Sequence, residues 1–228
     1  NGNVTYGSGS SIAASGNGVT IDLGGSTDTF ASVTVSNGGA ITNGTMTNTT
    51  TYLSGGTVSA NITAGTTTVS GSNTLSGTAS LGATTINSGA TLTDSGTLSF
   101  TGHITDNGTF NLGGHTLGST YVTIGSGAIL SNGTITLASG STLGAGTIYA
   151  NMSGTLTVTG NGTISGSASS ATININSGAT LNVSGTTSSS GTITNSGTLK
   201  VTGGTMTNNG TITNLHRADQ PKFAMAPL

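Results

Sequence analysis

Aliphatic residues recur about every six positions along much of this chain, each flanked by threonine and followed by a glycine-bearing turn. In residues 87–113, NSGATLTDSGTLSFTGHITDNGTFNLG, the hydrophobics Leu92, Leu98, Ile104 and Phe110 alternate with Gly89, Gly96, Gly102, Gly108 and Gly113. The beat returns in residues 190–214, SGTITNSGTLKVTGGTMTNNGTITN, with Ile193, Leu199, Met206 and Ile212. Each unit predicts a turn and then a short strand. Asn-Gly and Ser-Gly suit the turn because Gly, and next Asn, tolerates positive φ. Thr-Ile-Thr and Thr-Leu-Thr suit the strand because threonine is β-branched. Alternation sends the aliphatic side chain to one face and both threonines to the other.

A longer period lies over the short one. One series of anchors runs Ile41, Ile62, Leu81, Leu98, Leu117, Ile135, Leu156, Ile173, Ile193 and Ile212, and (212 − 41)/9 gives a mean step of 19. A second runs Val69, Ile86, Ile104, Ile124, Leu143, Ile164, Leu181 and Leu199. A third face carries Leu92, Phe110, Ile129 and Ile148, and residues 186–190, TTSSS, leave it blank. Three short strands per nineteen residues describe one coil of an all-β, single-stranded, triangular parallel β-solenoid of about eleven coils. An antiparallel sandwich, the main rival, would not hold its repeat near nineteen. No single coil can bury its own axial faces, so stacking is obligatory. The pattern predicts a solenoid over residues 1–215 and a C-terminal tail or linker over 216–228, HRADQPKFAMAPL, where the glycines stop and both prolines fall.

Composition narrows the function. Charged residues are 4% of the 228, against about 25% in ordinary proteins. Lys200, Arg217 and Lys222 are the only cations, so phosphate-neutralising contact with nucleic acid is not expected. The absence of Cys removes disulfides and thiolate metal sites. No apolar run reaches the ~18–20 residues of a membrane helix, so no membrane insertion is expected. The opening Asn1, with no leader pattern, leads us to expect a processed product or a segment of something longer.

The phrases SGATLTDSGTLSF (88–100), NSGATLNVSGT (176–186) and NSGTLKVTGGTMTNNGTITN (195–214) resemble the β-helix repeats of bacterial type V secreted passengers. These are the autotransporters and filamentous-haemagglutinin-like exoproteins, and the likeness covers about residues 1–215. It implies a right-handed β-helix, secreted and displayed at a bacterial cell surface, that works as an adhesin. The resemblance is one of repeat style and carries no catalytic signature.

Candidate chemistry is sparse. An enzyme needs an acid, base, nucleophile or metal, and the solenoid's carboxylates are Asp22, Asp28, Asp94 and Asp106. Asp22 and Asp28 stand in GNGVTIDLGGSTD, which lacks a calcium nonapeptide core. Asp94 and Asp106 precede turns, where Asp bonds its own backbone. His103 and His115 are too few for a metal centre, which takes three or four convergent ligands. Tyr121 and Tyr149 neighbour inward Val122 and Ile148 and are expected outside. The surface that invites a binding role is a threonine ladder: Thr134 and Thr136, Thr155 and Thr157, Thr172, Thr192 and Thr194, and Thr211 and Thr213 flank successive anchors.

The sequence therefore predicts a structural or adhesive extracellular β-solenoid segment of a surface adhesin or self-associating fibre. It is expected to be no enzyme and to use neither cofactor nor metal. Its expected partners are itself, end to end or laterally, and cell-surface or glycan targets. The alternative is a module that binds ice or crystalline polysaccharide through the outward threonines.

Overall fold

The computed structural model describes residues 9–215. Within them all regular structure is strand, from Ser10–Ser15 to Thr211–Asn214. Pairing is parallel throughout, between segments 15 (Thr142 with Thr157) to 21 (Ser11 with Ser32) residues apart. The molecule is a single-stranded parallel β-solenoid of about 11 turns, with coils stacked about 18 residues apart. The expected parallel topology holds, and the antiparallel sandwich is excluded. The predicted tail, 216–228, lies outside the described residues, as do residues 1–8.

Each coil presents three walls. On the first, the inward positions begin Ile12, Val33, Thr51, Thr67, Thr84, Ile104, Val122. Two residues further along the same strands, a second inward column holds Ala14, Val35, Leu53, Val69 and Ile86. It continues through Asp106, Ile124, Leu143, Val158 and Ile175 to Asn195 and Asn214. The second wall stacks Leu92, Phe110, Leu130, Ile148, Ile164, Val183 and Val201. The third stacks Met46, Ile62, Ala79 and Leu98, and further down Leu117, Ile135, Met152 and Ala168. Most of these aliphatics are buried, each contributing about 1.5–3 kcal/mol relative to exposure.

The columns differ from the anchor series read along the chain. Ile135 stands opposite Met152, whereas Leu156 continues with Ile173 and Ile193 on the first wall. Ile104 pairs with Val122, and Asp106 takes the slot between Ile86 and Ile124. Leu130, not Ile129, faces inward beside Phe110. The blank at 186–190 is also a strand: Thr187–Ser189 pairs with Met206–Asn208 and buries Thr187 and Ser189 where aliphatics would stand.

Corners take two forms. From residue 27 to 75 two of the three corners of each coil are turned inside the strands Thr27–Thr42, Thr45–Val58 and Asn61–Leu75, which run longer than the short strands expected, and the third falls between them, at residues 43–44 and 59–60. Register slips between Ser36 and Gly39 and between Ser54 and Gly56 absorb the bend. Below, an Asp or Asn two residues before a glycine folds its side chain onto that glycine's N–H. Asp94 accepts from Gly96 at 3.0 Å, Asp106 from Gly108 at 3.0 Å and Asn195 from Gly197 at 3.1 Å. Glycine is required here by crowding: a Cβ on Gly108 would sit 2.4 Å from the carbonyl oxygens of Ala90 and Asn87.

Candidate binding face

Outward positions on the first wall form one column through the whole described stack. It runs Ala13, Thr34, Tyr52, Thr68, Thr85, Thr105, Thr123, Thr142, Thr157, Asn174, Thr194, Thr213, each paired in register with the next. Strand spacing sets these side chains about 4.8 Å apart along the axis. Hydroxyls bridge some neighbours: Thr142 Oγ1 donates to Thr123 Oγ1 at 3.3 Å. Other outward ladders behave alike, with Ser32 donating to Ser11 at 2.7 Å and Ser165 and Ser184 bonded at 2.6 Å.

The predicted ladder residues fall into two groups. Thr155, Thr157, Thr172, Thr192, Thr194, Thr211 and Thr213 share the first wall, Thr155 pairing with Thr172 and Thr192 with Thr211. Thr134 and Thr136 stand on the third wall, beside Asn151 and Ser153, and Thr136 Oγ1 meets Ser153 Oγ at 3.2 Å. The sequence reading missed Thr34, Thr68, Thr85, Thr105, Thr123 and Thr142, which extend the first-wall column upward. Their signal was the inward column itself: each lies between its two inward positions on the strand.

A second outward column lies one alternate position earlier. Ser11, Ser32, Thr50 and Thr66 occupy its top, ending at Ala83. Between this stretch and Thr155 stand His103 and Tyr121, stacked with ring centroids 4.1 Å apart and planes 20° off parallel. His103 Nε2 lies 3.0 Å from Thr123 Oγ1, tying the rings to the main column. A Cβ on Gly140 would touch Tyr121 from the next coil at 3.4 Å. Tyr121 and Tyr149 are both exposed, as expected, at 41% and 55%.

The remaining ionisable side chains among the described residues are dispersed. His115 Nδ1 lies 3.2 Å from Asp94 Oδ2. Asp22 accepts from Gly24 N–H at 2.8 Å and Asn43 Nδ2 at 2.9 Å, and Asp28 accepts from Ser26. Among the described residues no three His or Asp side chains gather as a metal site would require. Asp106 is fully buried, and burial raises its carboxyl from 3.8 to about 7 against the lowering effect of the Gly108 hydrogen bond. What this surface can do chemically is make many weak, uncharged contacts at a fixed repeat. The chain matches no family model, no curated protein and no solved structure at a significant level.

Proposed function

We propose that the chain is a structural and adhesive segment of an extracellular bacterial surface protein, working as a stiff β-solenoid spacer that also associates with itself and with cell-surface glycans. The observation that carries this reading is the in-register column from Thr34 to Thr213, a neutral polar surface repeated from coil to coil. A solenoid supplies reach, because each coil adds about 4.8 Å of length. Low charge favours contact between copies, because self-repulsion is weak. The chemistry of the chain is spent on stacking, and the reading includes neither catalysis nor a cofactor. Electron microscopy and concentration-dependent sedimentation of the full chain test it. Rods that lengthen or bundle with concentration are expected, and strictly monomeric compact particles that bind no cell surface would overturn it.

A second reading draws on the same column. Evenly spaced threonine hydroxyls and methyls suit a ligand that is itself periodic, such as ice or crystalline polysaccharide. Replacing Thr157 and Thr194 together with Lys should abolish thermal hysteresis and pull-down by insoluble polysaccharide. A wild-type protein that shows neither effect ends this reading.

A further inference from the structure

Asp106 stands where the second inward column of the first wall would otherwise hold an aliphatic, between Ile86 above and Ile124 below. Its side chain has no exposure to solvent. Oδ1 accepts from Gly108 N–H at 3.0 Å, and Oδ2 is buried with no hydrogen-bond partner. A carboxylate in such a slot is stripped of water without gaining a counter-charge, which disfavours the charged form.

The surroundings offer no relief. The two strands packed on Ile104–Asp106 are Thr78–Ile86 and Val122–Ile124, and neither carries an ionisable side chain. His103 and Tyr121, next to these strands in sequence, stack against each other beside the outward Thr123. Asp94 and His115 pair together at another corner. Asp22, Asp28, Tyr52, Tyr149 and Lys200, the other described ionisable residues, belong to other coils.

The same corner is built elsewhere without a charge. Asn195 occupies the equivalent slot below Ile175, and its Oδ1 accepts from Gly197 N–H at 3.1 Å. Asn195 Nδ2 also donates to Asn214 Oδ1 at 3.1 Å, so neither end of that amide is orphaned. The turn needs only an oxygen acceptor, which Asn and protonated Asp both supply. Titration is what Asp106 adds.

We propose that Asp106 is a pH-sensitive latch: the solenoid closes tightly around the uncharged carboxyl, and its ionisation loosens the coil at residues 104–108. The sign follows from linkage. The folded chain keeps this proton to a higher pH than the unfolded chain, so the stabilisation is complete below 3.8 and is lost as pH rises to about 7. Within that window one proton separates the two states, and the folding equilibrium constant falls by up to about tenfold per pH unit.

Hydrogen exchange on the full chain at pH 5 and pH 8, corrected for intrinsic rates, tests the proposal. Protection of the amides at 104–108 should drop at the higher pH in the wild type, and the drop should vanish in Asp106→Asn. Denaturant unfolding over the same range should show a steeper pH dependence in the wild type than in the variant. Equal pH profiles for the two proteins would overturn the latch. If Asp106→Asn does not fold, infrared titration of the wild type decides: a protonated-carboxyl band persisting to near neutrality supports the proposal, and loss of all carboxyl protons near pH 4 refutes it.

Discussion

Residues 86–112 and 175–201 are two versions of one stretch of solenoid, offset by 89 positions (197 − 108) without a gap. Their frames are nearly identical. Ala90 N–H donates to Asn87 O at 3.0 Å, and Ala179 N–H to Asn176 O at 3.0 Å. Thr109 N–H reaches Ala90 O at 2.8 Å and Thr198 N–H reaches Ala179 O at 2.9 Å. A Cβ on Gly108 or Gly197 would meet the same three neighbours at nearly the same distances. The fillings differ. The upper version buries Leu98 and sets Phe100 edge-on against Phe110, at 5.8 Å and 81°. The lower version buries Thr187 and Ser189 at the aligned positions, with Ser189 Oγ donating to Ala171 O at 3.2 Å and Thr187 Oγ1 left unpartnered. The frame is thus set by glycines, Asx turns and backbone pairing, and it tolerates either an apolar or a hydroxyl interior.

The largest effect is expected from emptying the upper interior. Phe110→Ala should cost about 3–5 kcal/mol, as a fully buried aromatic does. Leu199→Ala, at the aligned and only partly buried position, should cost less than half as much. Equal losses in denaturant unfolding would mean that filling does not distinguish the two stretches. Attacking the frame should instead hurt both alike. Gly108→Ala and Gly197→Ala should each destabilise by about 1–3 kcal/mol or more, since overpacking against fixed carbonyls has no soft outlet. A large disparity between the two would show that their corners are not equivalent.

Smaller effects sharpen the picture. Thr187→Val removes an unpartnered buried hydroxyl while keeping the shape, and should raise stability by about 1 kcal/mol. A drop in melting temperature would show that the hydroxyl has found a partner in solution. Thr194→Lys on the outward column should stay within about 0.5 kcal/mol of wild type, so any lost binding could be assigned to the surface and not to unfolding.

Much of the frame was legible because its signals are local. Asn-Gly and Ser-Gly place the corners, and Thr-Ile-Thr and Thr-Leu-Thr place the strands. Which inward residue stacks on which was less legible. Inward positions recur every two residues within a strand and about every six between strands. A step near nineteen can therefore land on a neighbouring column, as it does from Ile135 to Leu156. Polar residues inside were harder still. Thr51, Thr67 and Thr84 stack as three successive inward residues, and a rule that points threonine outward cannot find them. Asn48 Nδ2 donates to the first of them, Thr51 Oγ1, at 2.7 Å, and Thr84 Oγ1 donates to Gly82 O at 3.2 Å. The candidate face was half visible: the run from Thr155 to Thr213 reads directly from the sequence, and Thr134 and Thr136 were joined to it by the same skipped column.

Coil length varies from 15 to 21 residues between paired positions, yet the first-wall columns keep step from Ser10–Ser15 to Thr211–Asn214. Slack is therefore held at the bends, where a few residues can be added or removed before the next strand docks. A solenoid built this way can carry side loops at its corners, each a place to hang a new recognition element, without disturbing the pairing of its walls.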